Sequence, residues 1–398
     1  MRNAMTPAAL AAAAGLWFPC LSCDTAALDS IARSGGAIDS GVSVSKVPVA
    51  TGLEQAVAFT WAPGNRILFT EKVTGRVRVW RDGSLLGEPA IDLTINSFGD
   101  RGLMGIALHP DFSRNRRVYL SYHESSTAGD DPNFDPAGFQ HVAYFTLTGD
   151  LADQGSLTRI ITLPLSNGAS HDLGNIRFGP DGKLYVTHGD HNEPPLAQAT
   201  DAGARYGRIM RFNDDGGVPD DGPLGPGNPT VAYGLRNAFD FCFHPITGVI
   251  YATENGTTVH DEVVIAQRGS NHGWPFVEGR ADDGPEDPPE ETAFAAANPN
   301  YLDPLVDATN DSVVPTGLDF NPGEVYGPQR KGDLFYAEWK LGVIRRLKLT
   351  GPGLDRADPP LVFATGFGNW SISDLAFGPH DQKLYVLTPA TLYRLDPR

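Results

Sequence analysis

The chain has 398 residues, with 31 Lys and Arg against 48 Asp and Glu and a formal net charge of −17. So acidic a surface, with its basic residues dispersed, excludes nucleic acid and an anionic membrane face as partners, since both require a basic patch. A hydrophobic content of 41%, with 45 Gly, 32 Pro and no long helical pattern, supplies a core and points to a turn-rich β fold.

In chain order, the opening MRNAMTPAALAAAAGLWFPCLSC sets one Arg before a short Ala-rich apolar run, then small residues and cysteine. The run is too short to span a membrane and reads as an export leader over residues 1–23, which predicts a periplasmic or extracellular protein. Cys23, after Leu21 and Ser22, is either a lipid-acceptor cysteine or a bystander to plain cleavage after a small residue. Residues 24–48 are small and polar and predict a flexible tether. With the leader removed, Cys242 in FDFCFHP is the buried thiol that remains, so no disulfide framework is implied.

From residue 49 to 398 one unit recurs: an apolar residue, a proline shortly after it, then an apolar strand. Its six copies centre on Pro63, Pro110, Pro180, Pro245, Pro322 and Pro379. Self-similarity at this period is the signature of an all-β, six-bladed β-propeller with four-stranded antiparallel blades. The third copy, FGPDGKLYVT, shows the mechanism: a Pro-Asp-Gly turn, then Leu184 and Val186 alternating with Tyr185 and Thr187. Residues 124–140, 212–229 and 277–304 are rich in Asp, Gly and Pro and predict loops between strands. Their carboxylates lack EF-hand spacing and read mostly as solvated surface.

Just before the third copy stands HDLGN. A lone histidine is ordinarily a structural or surface residue, but His171 in this setting reads as part of a working loop ahead of a scaffold turn. A neutral imidazole is the usual group poised to take a proton near neutral pH.

Six stretches occur in a telling order: GDRGLMGIALHPDFSRNRRVYLSY (99–122), HDLGNIRFGPDGKLYVTHGD (171–190), YGRIMRFNDDGGVPDDGPL (206–224), YGLRNAFDFCFHPITGVIYATENG (233–256), DEVVIAQRGSNHGWP (261–275) and EWKLGVIRRLKL (338–349). With them the chain resembles the soluble pyrroloquinoline-quinone (PQQ) dependent glucose/sorbosone and aldose-sugar dehydrogenases, from about residue 48 to the C-terminus. The resemblance implies a propeller with the quinone over its central channel. It also implies hydride transfer from the C1 carbon of an aldose sugar, with electrons passed to an external acceptor, a quinone or a cytochrome.

By the same resemblance His171 is the general base and Arg236 faces the quinone oxygens as the second catalytic residue. Asp100, Asn237, Lys340 and Trp370 join the cofactor pocket, where Trp370 either stacks on a planar ring or packs a blade edge. The main-chain carbonyls of Gly256 and Thr257, with Asp261 and Glu262 just after, mark a calcium site. One departure matters. Where the family carries Arg-x-Arg-Asp, this chain reads NWSISD, so Ser371 and Ser373 replace two arginines that pair with PQQ carboxylates, while Asp374 is kept. Two other readings therefore stay open: a cofactor-less propeller that binds carbohydrate or protein, and a calcium-dependent propeller lactonase.

Overall fold

A computed structural model describes residues 37–168, 170–281, 288–309 and 312–398. Six antiparallel sheets follow one another along the chain, with first strands at Ala56–Ala62, Leu103–Leu108, Leu173–Phe178, Ala238–Phe243, Pro315–Phe320 and Asp374–Phe377. These first strands pack in sequence and the sixth returns to the first, so they ring a central channel. The protein is a six-bladed β-propeller.

Each counted proline falls between the first and second strands of its blade, which puts all six turns on one face. In blade 3 the Asp181 carboxylate accepts the Lys183 amide (3.1 Å) and the Tyr185 hydroxyl (3.2 Å). In blade 6 Asp381 does the same for Lys383 and Tyr385, at 3.2 and 3.0 Å. An Asp that satisfies turn amides and a tyrosine that ties the strand back to the turn form the repeating device.

The core is six interfaces between adjacent blades rather than one centre. Leu184 and Val186 pack towards blade 2 with Tyr119 and Val142, whereas Tyr185 packs towards blade 4 with Phe241 and Ile250. Alternation therefore does not separate core from solvent here: Tyr185 and Thr187 are as buried as Leu184 and Val186, because both faces of an interior blade are covered.

Closure is achieved at the chain ends. Val44–Thr51 pairs with Thr391–Pro397 as the outer strand of blade 6. The stretch 24–48, expected as a tether, is thus structured from residue 37: Ile38 bridges Val362, and buried Asp39 receives Arg330 at 2.7 and 2.8 Å and Arg346 at 3.0 Å. The leader and Cys23 lie outside the described residues. Cys242 is buried and unpaired in a disulfide, as expected. Within 277–304, expected to be loop, Pro289–Ala297 forms a short helix. The proline at its start, Glu290 and Glu291 in its first turn and the alanines after them all favour one.

Candidate functional site

On the face opposite the proline turns, the segments entering each first strand and those linking second to third strands surround the channel mouth. The hairpin of Leu173–Phe178 and Leu184–His188 pairs Leu173 with His188. Two residues further out, the same register sets His171 opposite Asp190, and the His191 amide donates to the His171 carbonyl (3.1 Å). The two side chains meet: His171 Nδ1 lies 2.7 Å from Asp190 Oδ1. Gly189 permits this closeness, since a Cβ there would stand 2.7 Å from both the Cα and the Cβ of His171. His171 itself takes φ 62°, a left-handed conformation uncommon for histidine.

Asp190 also accepts Trp274 Nε1 (2.9 Å) and the Asn192 amide (3.0 Å). Burial pushes its carboxyl up, but these bonds and the one from His171 outweigh burial and hold it below the usual range. An ionised carboxylate can only accept, so His171 Nδ1 carries a proton and donates it to Asp190. The dyad is a histidine held by an orienting carboxylate.

Asp100 is open to solvent but sunk in the cup of the site, where surrounding protein raises its pKa against the opposing pull of His171 and Lys72. Lys72, lowered by burial, donates to the Gly99 carbonyl at 2.7 Å. On the other side, the Asp190 amide donates to the Arg236 carbonyl (2.7 Å), and the Arg236 guanidinium lies 5.6 Å from the Trp274 ring centre. Glu254 Oε1 accepts the backbone amides of Arg236 (2.5 Å) and Asn237 (2.8 Å), fixing the strand entry that presents both residues. Burial raises the Glu254 carboxyl to about 8, and its Oε2 is buried without a hydrogen-bond partner.

The structure therefore brings together His171, Asp100, Arg236 and Asn237, and adds Asp190, Lys72, Trp274 and Glu254, which sequence reasoning missed. Asp190 was legible: it closes the stretch 171–190, and counting the hairpin outward from its turn sets it across from His171. Lys72 and Glu254 carried no such signal.

Lys340 and Trp370 lie on the same face in blades 5 and 6, with Trp370 half exposed and edge-on to Trp339 at 4.8 Å. The Ser371 hydroxyl donates to the Gly368 carbonyl (2.6 Å). Ser373 departs from expectation. It is buried, and its hydroxyl is spent on the carbonyls of Ala56 (3.0 Å) and Leu387 (3.3 Å), tying blade 6 to blade 1 rather than facing a ligand.

The expected calcium set does not converge. The Gly256 carbonyl accepts Arg236 Nη1 at 2.6 Å, and Thr257 is held by Glu278. Asp261 ties its loop by accepting the amides of Gly256, Val313 and Val314 and the Ser312 hydroxyl. Glu262 accepts the Gly279 amide (2.9 Å), with its carboxyl raised by burial and by Glu254. Among the described residues no three His, Cys, Asp or Glu donors gather in metal-holding geometry. Glu254 and Glu262 do share a small cavity with Gly256, His260 and Glu278.

Comparison with known proteins follows the same outline. The sequence profile of the Glucose / Sorbosone dehydrogenase family matches residues 53–392. An aldose sugar dehydrogenase of Escherichia coli is 28% identical over 355 residues, covering 87% of this chain and 91% of that protein. Quinoprotein glucose dehydrogenase B of Acinetobacter calcoaceticus is 32% identical over 263 residues, covering 60% of this chain and 54% of that protein. The crystal structure of the soluble aldose sugar dehydrogenase from Escherichia coli, in its apo form, superposes with a TM-score of 0.72 at 26% identity, covering 89% of this chain and all of that one.

Proposed function

The chain belongs to the glucose/sorbosone dehydrogenase family, and from that premise we propose that it is a PQQ-dependent sugar dehydrogenase that oxidises aldoses at C1 and passes the electrons to an external acceptor, a quinone or a cytochrome. The observation that carries this reading is the His171–Asp190 dyad, set at the channel mouth by hairpin register and oriented through Nδ1.

The donor set fits a planar anionic quinone in part. Arg236 and Lys340 supply cationic groups on the site face and Trp274 an aromatic wall, whereas Ser371 and Ser373 supply no charge. Bound there, the quinone supplies the two-electron acceptor for hydride. The chain does the rest. His171 Nε2 takes the C1 hydroxyl proton as hydride departs, and the imidazolium so formed faces a carboxylate already ionised. Trp274 and the Asn192 amide keep Asp190 from rotating away. Arg236 places a fixed positive charge at the mouth, where negative charge develops on the acceptor. The donors first assigned to calcium do not converge, with Asp261 and Glu262 committed to separate backbone amides, and no step runs through it here. Export by the leader at 1–23, with or without a lipid at Cys23, belongs to the same proposal.

The test is to mix the purified chain with PQQ and a panel of aldoses and follow reduction of an artificial dye, beside His171→Ala. We expect turnover with at least one aldose and a loss of roughly 10²–10⁴ in the variant at unchanged PQQ affinity. Absence of turnover together with absence of PQQ binding overturns the reading in favour of the carbohydrate- or protein-binding propeller that Ser371 and Ser373 allow.

A further inference from the structure

On the face away from His171, the proline turns of blades 4, 5 and 6 line a cavity of about 310 Å³. Its wall repeats with the blades: Phe243, Phe320 and Phe377 are the last residues of the first strands of blades 4, 5 and 6, and each is followed two positions later by a turn proline, Pro245, Pro322 and Pro379. Its polar groups are Asp319 and Gln382.

The charge around the cavity is unbalanced. Arg177 binds Asp240 at 2.8 Å, with Asn175 also donating to Asp240 at 2.5 Å. Asp374 accepts only backbone amides, from Phe59 (3.2 Å) and Leu375 (2.8 Å), and Asp319 likewise only those of Phe320 and Phe377, both at 2.8 Å. Among these described groups one guanidinium faces three carboxylates, and Asp319, with no side-chain cation bonded to it, is the carboxylate that lines the cavity.

We propose that this cavity binds a small organic cation of the alkylammonium class, its nitrogen against Asp319 and its methyl and methylene groups against the Phe243, Phe320 and Phe377 wall. The size falls at the lower end of ligand cavities, which suits a ligand of few atoms. An anion is opposed by the surplus of carboxylates. A sugar would find only Asp319 and Gln382 to bond its many hydroxyls. A hydrated metal ion would lose water to apolar walls with one carboxylate in return. An alkylammonium loses least on desolvation and gains from both the charge and the aromatic surface.

Choline is the probe, titrated into the full chain by calorimetry and compared with its uncharged isostere 3,3-dimethylbutanol. Binding is expected at millimolar choline or below, and at least roughly tenfold weaker for the isostere and in Asp319→Asn. Pro245→Trp, which fills the exposed lip, should abolish it while sugar-dependent dye reduction at the far face stays unchanged. Should Asp319→Asn fail to fold, the isostere and the lip variant still decide. Equal binding of choline and its isostere, undiminished binding in Asp319→Asn, or no heat at tens of millimolar choline overturns the proposal.

Discussion

At the scale of single residues, the proposed chemistry rests on a pair whose members divide the work: Asp190, held ionised, accepts the Nδ1 proton of His171 and fixes the orientation of its ring. Asp190→Asn removes the charge yet keeps the shape, and the amide can equally donate to Nδ1 and strand the imidazole in the wrong tautomer. A fall in kcat of roughly 10²–10⁴ is expected, with KM and melting temperature close to those of the parent. Steady-state kinetics with PQQ saturating checks this, and a variant retaining most of its turnover would remove Asp190 from the mechanism. Ser373 carries the opposite lesson. It is expected to stand where the family carries a cofactor-binding arginine, but in this fold its hydroxyl is committed to two backbone carbonyls.

At the scale of elements, the outer strand Val44–Thr51 closes the ring, and Asp39 just ahead of it is its anchor. Two guanidiniums converge on that one buried carboxylate, Arg330 fully buried and Arg346 nearly so. Asp39→Ala leaves the buried Arg330 without its carboxylate and Arg346 with Asp333 alone, a change that costs about 3–5 kcal/mol. Asp92→Ala, which breaks the solvent-exposed pair with Arg76, should cost less than about 1 kcal/mol. Urea denaturation of the two variants side by side measures the difference. Equal midpoints would mean that the segment ahead of Val44 contributes nothing to closure.

At the scale of the whole molecule, blades 3, 4, 5 and 6 meet at Arg177 through Asp240, Asp319 and Asp374. Burial raises the carboxyls of Asp319 and Asp374, so the folded chain binds their protons more tightly than the unfolded chain does. Stability from these groups is therefore present at low pH and is lost as pH rises above their ordinary value of 3.8. Arg177 limits that loss. Arg177→Met should be destabilised at neutral pH by up to about 3 kcal/mol, the low end for a broken buried pair because solvent reaches the guanidinium along the channel. The deficit should shrink as pH falls towards 4, the reverse of ordinary acid denaturation. Melting curves of parent and variant across that range check the sign, and a gap that widens on acidification would refute it.

The sequence by itself determined the architecture, because a propeller is written locally. Each blade needs its own turn, and the prolines at 63, 110, 180, 245, 322 and 379 each mark the same one, so counting them counted blades. It also singled out His171 as a candidate, since its neighbours in HDLGN and the FGPDG turn lie within one hairpin. Residues brought together from different blades were decided only by the tertiary structure. Lys72 beside Asp100, Trp274 on Asp190, and Arg236 on the carbonyl first assigned to calcium all join positions with no fixed spacing, since loops between blades vary in length while the ring holds their ends in place. The same reason explains Ser373 and Asp39. A hydroxyl or carboxylate reads alike in sequence whether it faces a ligand or a neighbouring blade, and only closure of the ring shows which partner it meets.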